Sequence, residues 1–230
     1  MLKAVIFDLD NTLYDYTTNN KIALDVVQKY VENEFNVNKE DFFRLFNEAR
    51  KETKDALSSD LASRHNRTIY FKRFLQKIDQ KPYEYANILE ELYWNTILDN
   101  MKLYNGVIEL FELLKKNNIK IAICTNLLLS IQLRKVHKLG IGDYIDYILT
   151  SEEIGTQKPS KENFLNVLEY FNVTSEEAIF IGDDYKIDIE GAEKVGISGI
   201  LIGESNCEKC LSFNDFRGVI KHIESKYIEN

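Results

Sequence analysis

The sequence predicts an α/β protein: a parallel sheet covered by helices on both faces, interrupted after its first strand by an all-helical insertion. Three observations carry this. Short apolar runs alternate with helix-period segments from residue 107 onward, at the spacing of strand–helix–strand crossovers. The N-terminal run Val5-Ile6-Phe7 is apolar throughout, as a strand covered on both faces must be. Between the two lie roughly eighty residues with helical periodicity and no strand signal. The expected division is a core of residues 1–15 and 100–230 with a helical domain over 16–99.

The elements follow in order. After the first strand, Thr17 or Thr18 is expected to cap a helix carrying Ile22, Val26, Val27, Tyr30 and Val31 on one face. Asn38, with Asp41 three residues on, resembles a capping arrangement before the stripe Phe42, Leu45, Phe46 and Ala49. Ser58-Ser59-Asp60 reads as a turn. A third helix carries Ile69, Phe71, Phe74, Leu75 and Ile78, and Pro82 suits the first turn of a fourth. At Tyr104-Asn105-Gly106 the chain turns back into the alternating region. Helices are expected over 107–116, 127–139, 161–171, 187–195 and 213–228, with Gly140 closing the second of these. Strands are expected over 119–124, 147–149, 178–181 and 199–202.

Composition narrows the function classes. Net charge is −8, from 29 basic and 37 acidic residues, which disfavours a nucleic-acid polymer as partner. No stretch approaches the ~20 apolar residues of a membrane helix, and the short N-terminal apolar run ends in two carboxylates rather than a cleavage signal. Three cysteines do not suggest a disulfide framework. A cytoplasmic protein, monomer or homodimer, acting on a small molecule is the expectation.

Four polar clusters fall at one edge of the expected sheet: Asp8/Asp10, Thr125/Asn126, Lys158 before Pro159, and Asp183/Asp184 with Asp188 beyond. Three directly follow strands, where open α/β sheets place their ligands. An isolated Asp-x-Asp reads as a strand followed by an Asx turn. Four such clusters in this order are not explained by turns.

The chain here resembles the haloacid dehalogenase-like (HAD) superfamily of phosphatases and phosphotransferases. Asp8-Leu9-Asp10-Asn11-Thr12 matches its first signature, Cys124-Thr125-Asn126 the second, and Lys158-Pro159 the third. Gly182-Asp183-Asp184-Tyr185-Lys186-Ile187-Asp188 matches the fourth. The resemblance spans the whole chain. It implies a Rossmann-like, doubly wound sheet of order 3-2-1-4-5, with an inserted helical cap that closes over a phosphate site.

The chemistry agrees with the residue types. Asp8 can act as nucleophile, forming an aspartyl-phosphate, and Asp10 can protonate the leaving oxygen and then activate water. Mg²⁺ is the expected cofactor, held by Asp8, the main-chain carbonyl of Asp10 and Asp183, with Asp184 and Asp188 as further candidate ligands. Thr125 and Asn126 can donate to phosphoryl oxygens, and Lys158 offsets their charge. A halide leaves without a proton, so a carboxyl at position 10 favours a phosphatase over a dehalogenase. A phosphomutase or phosphotransferase on the same core, or a non-catalytic ligand-binding protein, remains the alternative. The run Asp15-Tyr16-Thr17-Thr18-Asn19 and the all-helical insertion look most like those of the nucleotidase-type phosphatases, which implies 5′-nucleotides as a substrate class, with a sugar phosphate or another small phosphometabolite as equal alternatives.

Other residues carry weaker signals. Ser63-Arg64-His65-Asn66-Arg67 is basic in an acidic chain; Arg64 is the candidate substrate contact, set against a solvated helix start. Tyr14 and Tyr16 read as entrance or base-stacking residues, and Tyr93 and Trp94 as packing. Cys207-x-x-Cys210 is half a zinc motif without a second half, and His137 and Cys124 need no function.

Overall fold

The computed structural model describes residues 1–203 and 207–228. It divides into two compact units, Met1–Asp15 with Lys102–Asn230, and Tyr16–Met101.

The first unit is built on β1 (Ala4–Phe7), β2 (Lys120–Thr125), β3 (Tyr147–Thr150), β4 (Ala178–Gly182), β5 (Ser198–Ile202) and β6 (Leu211–Phe213). All pair in parallel, in the order β3-β2-β1-β4-β5-β6, so the predicted five-strand order holds and a sixth strand extends it. The all-apolar β1 is central and fully buried, with Phe7 paired between Ile123 and Ile181. Alternate residues of β1 serve opposite faces. Ala4 and Ile6 join Ala122, Cys124, Phe164, Val167 and Phe180 on one side, while the Phe7 ring packs edge-on against Phe111 at 5.2 Å on the other.

The second unit holds α1 (Tyr16–Phe35), α2 (Lys39–Ala56), α3 (Arg67–Lys77) and α4 (Pro82–Asn100), with a 3₁₀ turn at Ala62–His65. Asn38 caps α2 by accepting from the Asp41 N–H, Asn66 caps α3 through Ile69, and Pro82 opens α4. The core is aromatic: Phe42, Phe46, Tyr70, Phe71, Phe74, Tyr93 and Trp94. Three details differ from the sequence reading. Helix α1 begins at Tyr16, so Thr17 and Thr18 lie inside its first turn and neither is its cap; Asp15, itself a favoured capping type, precedes it. Ile78 is the residue closing α3, and Arg67 is no solvated helix start: its guanidinium lies 5.2–5.5 Å from the ring centres of Tyr70, Tyr93 and Trp94.

The remaining helices belong to the first unit: α5 (Val107–Lys116), α6 (Leu129–Lys138), α7 (Ser151–Ile154), α8 (Lys161–Phe171), α9 (Glu190–Glu193) and α10 (Phe216–Ile223). Before α9 the backbone forms a π turn at Tyr185–Ile189, and the expected helix from 213 starts instead at Phe216. Asp215 caps it by accepting from the Arg217 and Gly218 N–H groups, which releases Leu211–Phe213 to pair with β5. No described helix is long and apolar enough to cross a membrane.

Candidate active site

The site grows from the C-terminal ends of β1, β2 and β4 and the loop after β3. Beyond β1 the chain turns tightly through Asn11, whose φ of +66° is a left-handed conformation that asparagine tolerates. This turn returns the Thr12 hydroxyl to donate both to Asp8 Oδ2 at 3.3 Å and to Asp183 Oδ1 at 3.1 Å. The Asp8 N–H is held by the Ile181 carbonyl at 2.9 Å, which locks the end of β1 to β4.

Lys158 reaches into this cluster from the loop after α7. Its Nζ, 3% exposed as a residue, lies 2.8 Å from Asp8 Oδ1 and 2.7 Å from Asp188 Oδ1. Asn126 holds its backbone: the amide Nδ2 donates to the Lys158 carbonyl and Oδ1 accepts from the Lys158 N–H. The Asn126 side chain therefore fixes the lysine, leaving its main-chain N–H as the group that can face a phosphoryl oxygen. Gly182 permits the close approach of Asp188, since a Cβ there would fall 2.5 Å from the Asp188 Cβ.

Asp8, Asp183 and Asp188 bring carboxylate oxygens within 4.8 Å of one another, the geometry of a metal cradle. Three buried or half-buried acids share one ammonium. Burial pushes the Asp8 carboxyl up to about 7, with Asp188 and Asp183 adding to the rise and Lys158 opposing it. Burial, then Asp188, pushes Asp183 up to about 6. Burial alone would lower Lys158, but Asp188 and Asp8 outweigh it and its ammonium is held on. Asp184 stands outside this group: its exposed carboxylate accepts from the Lys186 and Ile187 N–H groups, capping the π turn.

Asp10 is held differently. Its carboxylate lies against α6, 2.7 and 2.8 Å from Lys135 Nζ, and accepts from the Tyr14 hydroxyl and, at 3.4 Å, from Gln132 Nε2. Gln132 also donates to Thr125 Oγ1 at 2.7 Å. Tyr14 is fully buried, so it is no stacking surface. Thr12 was read only as part of the first signature, without a role of its own, and Lys135, Gln132 and the Tyr14 hydroxyl went unread in the sequence. A signal existed for two of them, since Gln132 and Lys135 sit one turn apart on the helix that follows Thr125.

Arg64 belongs to the helical unit, half-buried, with its Nε donating to the Lys54 carbonyl at 3.0 Å. The charges acting on nearby His65 are all cationic: burial first, then Arg67, Lys54, Arg64 and Arg50, push it down to about 4. Cys207 and Cys210 bring their sulphurs 2.7 Å apart in the segment before β6, outside any metal-binding group among the described residues.

Comparison with known proteins gives the chain's family. A ribulose-1,5-bisphosphate 5-phosphatase from Halopiger xanaduensis is 37% identical over 207 residues, covering 89% of this chain and 86% of the relative. A glyceraldehyde 3-phosphate phosphatase from Methanopyrus kandleri is 29% identical over 223 residues, covering 94% and 90%. The crystal structure of a 2-haloacid dehalogenase from Pseudomonas syringae pv. Tomato DC3000 superposes with a TM-score of 0.75 at 20% identity over 98% of this chain and 99% of that one, a likeness of fold alone. Residues 2–196 match the haloacid dehalogenase-like hydrolases as a family, and the chain belongs to that family of hydrolases.

Proposed function

We propose that the protein hydrolyses the phosphate monoester of a small metabolite, with Asp8 as nucleophile. The observation that carries this is the Asp8–Lys158–Asp188 chain of contacts, buried at the end of the central strand with Asp183 and Thr12 beside it. Sugar phosphates stand ahead of 5′-nucleotides as substrates, because the two curated relatives named above are sugar- and triose-phosphate phosphatases. Both align over most of their own length.

The residues fit a divalent cation. Three carboxylates against one ammonium leave about two negative charges uncompensated, and the donor set is all oxygen, which suits Mg²⁺. Asp8, Asp183 and the main-chain carbonyl of Asp10 would hold it. When bound, the ion supplies positive charge that screens the substrate's phosphoryl oxygens from the carboxylates.

Each remaining step falls to the protein's own groups. An Asp8 oxygen attacks phosphorus as the bond to the leaving oxygen breaks, giving an aspartyl-phosphate. Asp10 delivers the proton that lets the leaving oxygen depart as an alcohol, then takes one from the water that attacks the phosphoryl group and frees Asp8. The Thr125 hydroxyl and Asn126 N–H hold phosphoryl oxygens, and the Lys158 ammonium meets the charge that develops there. Asp188 keeps Lys158 aimed.

The test is phosphate release from a panel of sugar phosphates and nucleotides, with Mg²⁺ and with chelator, for the wild type and Asp8→Asn. Metal-dependent release that vanishes in the variant is expected. Release that survives Asp8→Asn would sink the proposal.

A further inference from the structure

We propose that Lys135 is a positioning residue for the reaction: it fixes the carboxylate of Asp10 in the orientation from which Asp10 serves the leaving group. Tyr14 and Gln132 complete the support. The inference rests on the reading of Asp10 as the group that handles the leaving-group proton.

Lys135 is fully buried on α6, with no exposed surface, and its Nζ contacts both oxygens of Asp10 at 2.7 and 2.8 Å. Two further donors converge on the same carboxylate, the Tyr14 hydroxyl on Oδ1 and Gln132 Nε2 on Oδ2. The Lys135 ammonium also lies 5.9 Å from the centre of the Tyr14 ring. A carboxylate bracketed on both oxygens by three donors, two from α6 and one from the loop after β1, is held in one orientation rather than spread over a set of rotamers.

Stability does not account for the arrangement. A buried lysine and glutamine on a helix face cost desolvation that apolar residues of the same size avoid, so such a pair is weak evidence of a stabilising role. Gln132 makes the point sharper. Its Oε1 is buried without a hydrogen-bond partner among the described residues, while its Nε2 is spent on Asp10 and Thr125. Turning the amide over would set its oxygen against the Asp10 carboxylate, so the orphaned carbonyl is the cost of presenting an N–H to both groups. That N–H fills a lone pair of Thr125 Oγ1 and leaves the threonine's own proton to be donated elsewhere. One helix turn thus orients both the acid and the phosphate-binding hydroxyl.

Leaving-group dependence tests this, because protonation matters little for a good leaving group and much for an alkoxide. In saturating Mg²⁺, kcat/KM, which reports the steps up to formation of the aspartyl-phosphate and not its hydrolysis, is compared on p-nitrophenyl phosphate and on the alkyl phosphate turned over fastest. Lys135→Met should lower kcat/KM on the alkyl phosphate at least about 30-fold and on p-nitrophenyl phosphate less than about threefold, a loss of part of the roughly 10²–10⁴-fold that a general acid contributes. Tyr14→Phe, which keeps the packing, should show a smaller loss with the same bias, and it decides the matter if Lys135→Met does not fold. Asp10→Asn should share the bias, and Lys135→Met should add nothing in that background. Equal losses on both substrates, or a further full loss on top of Asp10→Asn, would overturn the positioning role. An Asp10→Asn variant without bias would instead remove the assignment of Asp10, and the proposal with it.

Discussion

Replacing Lys158 with methionine tests how the buried charges are balanced. The substitution keeps much of the side chain's volume and removes only the ammonium, leaving Asp8 and Asp188 buried at 8% and 2% exposure without their shared cation. Deleting one partner of a buried ion pair costs about 3–5 kcal/mol, because the surviving charge stays desolvated. For a chain of this size that corresponds to a fall in Tm of about 6–20 °C. The cost depends on pH in a fixed sense. In the metal-free wild type the Asp8 carboxyl, at about 7 against an ordinary 3.8, binds more protons folded than unfolded between those values. Its contribution to stability is therefore present at low pH and lost as pH rises through that window. Without Lys158, which opposes the rise, the Asp8 value climbs further, so the gap between variant and wild type opens as pH rises. Urea denaturation in chelator at pH 5 and pH 8 measures it directly. A Lys158→Met protein as stable as the wild type at pH 8 would refute the reasoning, as would a gap that widens toward pH 5.

Other expectations follow from the same contacts. Asp8→Asn should lower phosphate release at least about 10³-fold while leaving the fold intact by circular dichroism, since it removes the nucleophile and little volume. Gly182→Ala should push Asp188, and through it Lys158, out of place, costing about 1–3 kcal/mol by urea titration together with activity. Mg²⁺ should raise Tm more at pH 8 than at pH 5, because the Asp8 and Asp183 carboxyls, at about 7 and about 6, must lose their protons to bind it. Arg67→Met should destabilise the helical unit by about 1–3 kcal/mol through lost ring contacts and hydrogen bonds. The fluorescence of Trp94, the chain's single tryptophan, reports that transition.

Much of this architecture was legible because it obeys local rules. Val5-Ile6-Phe7 could only be a doubly covered strand, and the predicted bounds of α5 and α8 coincide with those observed. Where reading failed, a longer-range partner decided. Leu211-Ser212-Phe213 is too short to announce a strand and becomes one only because β5 offers an open edge. A lysine within an amphipathic helix reads as solvent-facing, so Lys135 stayed hidden until β1 delivered Asp10 beside it. Asn126 carries two donors and an acceptor, and nothing local tells that they are spent on the Lys158 peptide 32 residues away.

The central place of β1 has a consequence for how the chain is made. It is synthesised before both of its neighbours, residues 120–125 and 178–182, which emerge only after the whole helical unit. At ribosomal speeds of about 5–20 residues per second, roughly 10–30 s separate β1 from β4. Until residues 120–125 emerge, the most apolar strand of the sheet has neither neighbour to pair with, while Tyr16–Met101 already contains every helix of its own unit. The nascent chain thus completes its second unit before it can begin its first, and the nucleophile at position 8 waits on the last third of the polypeptide for its surroundings.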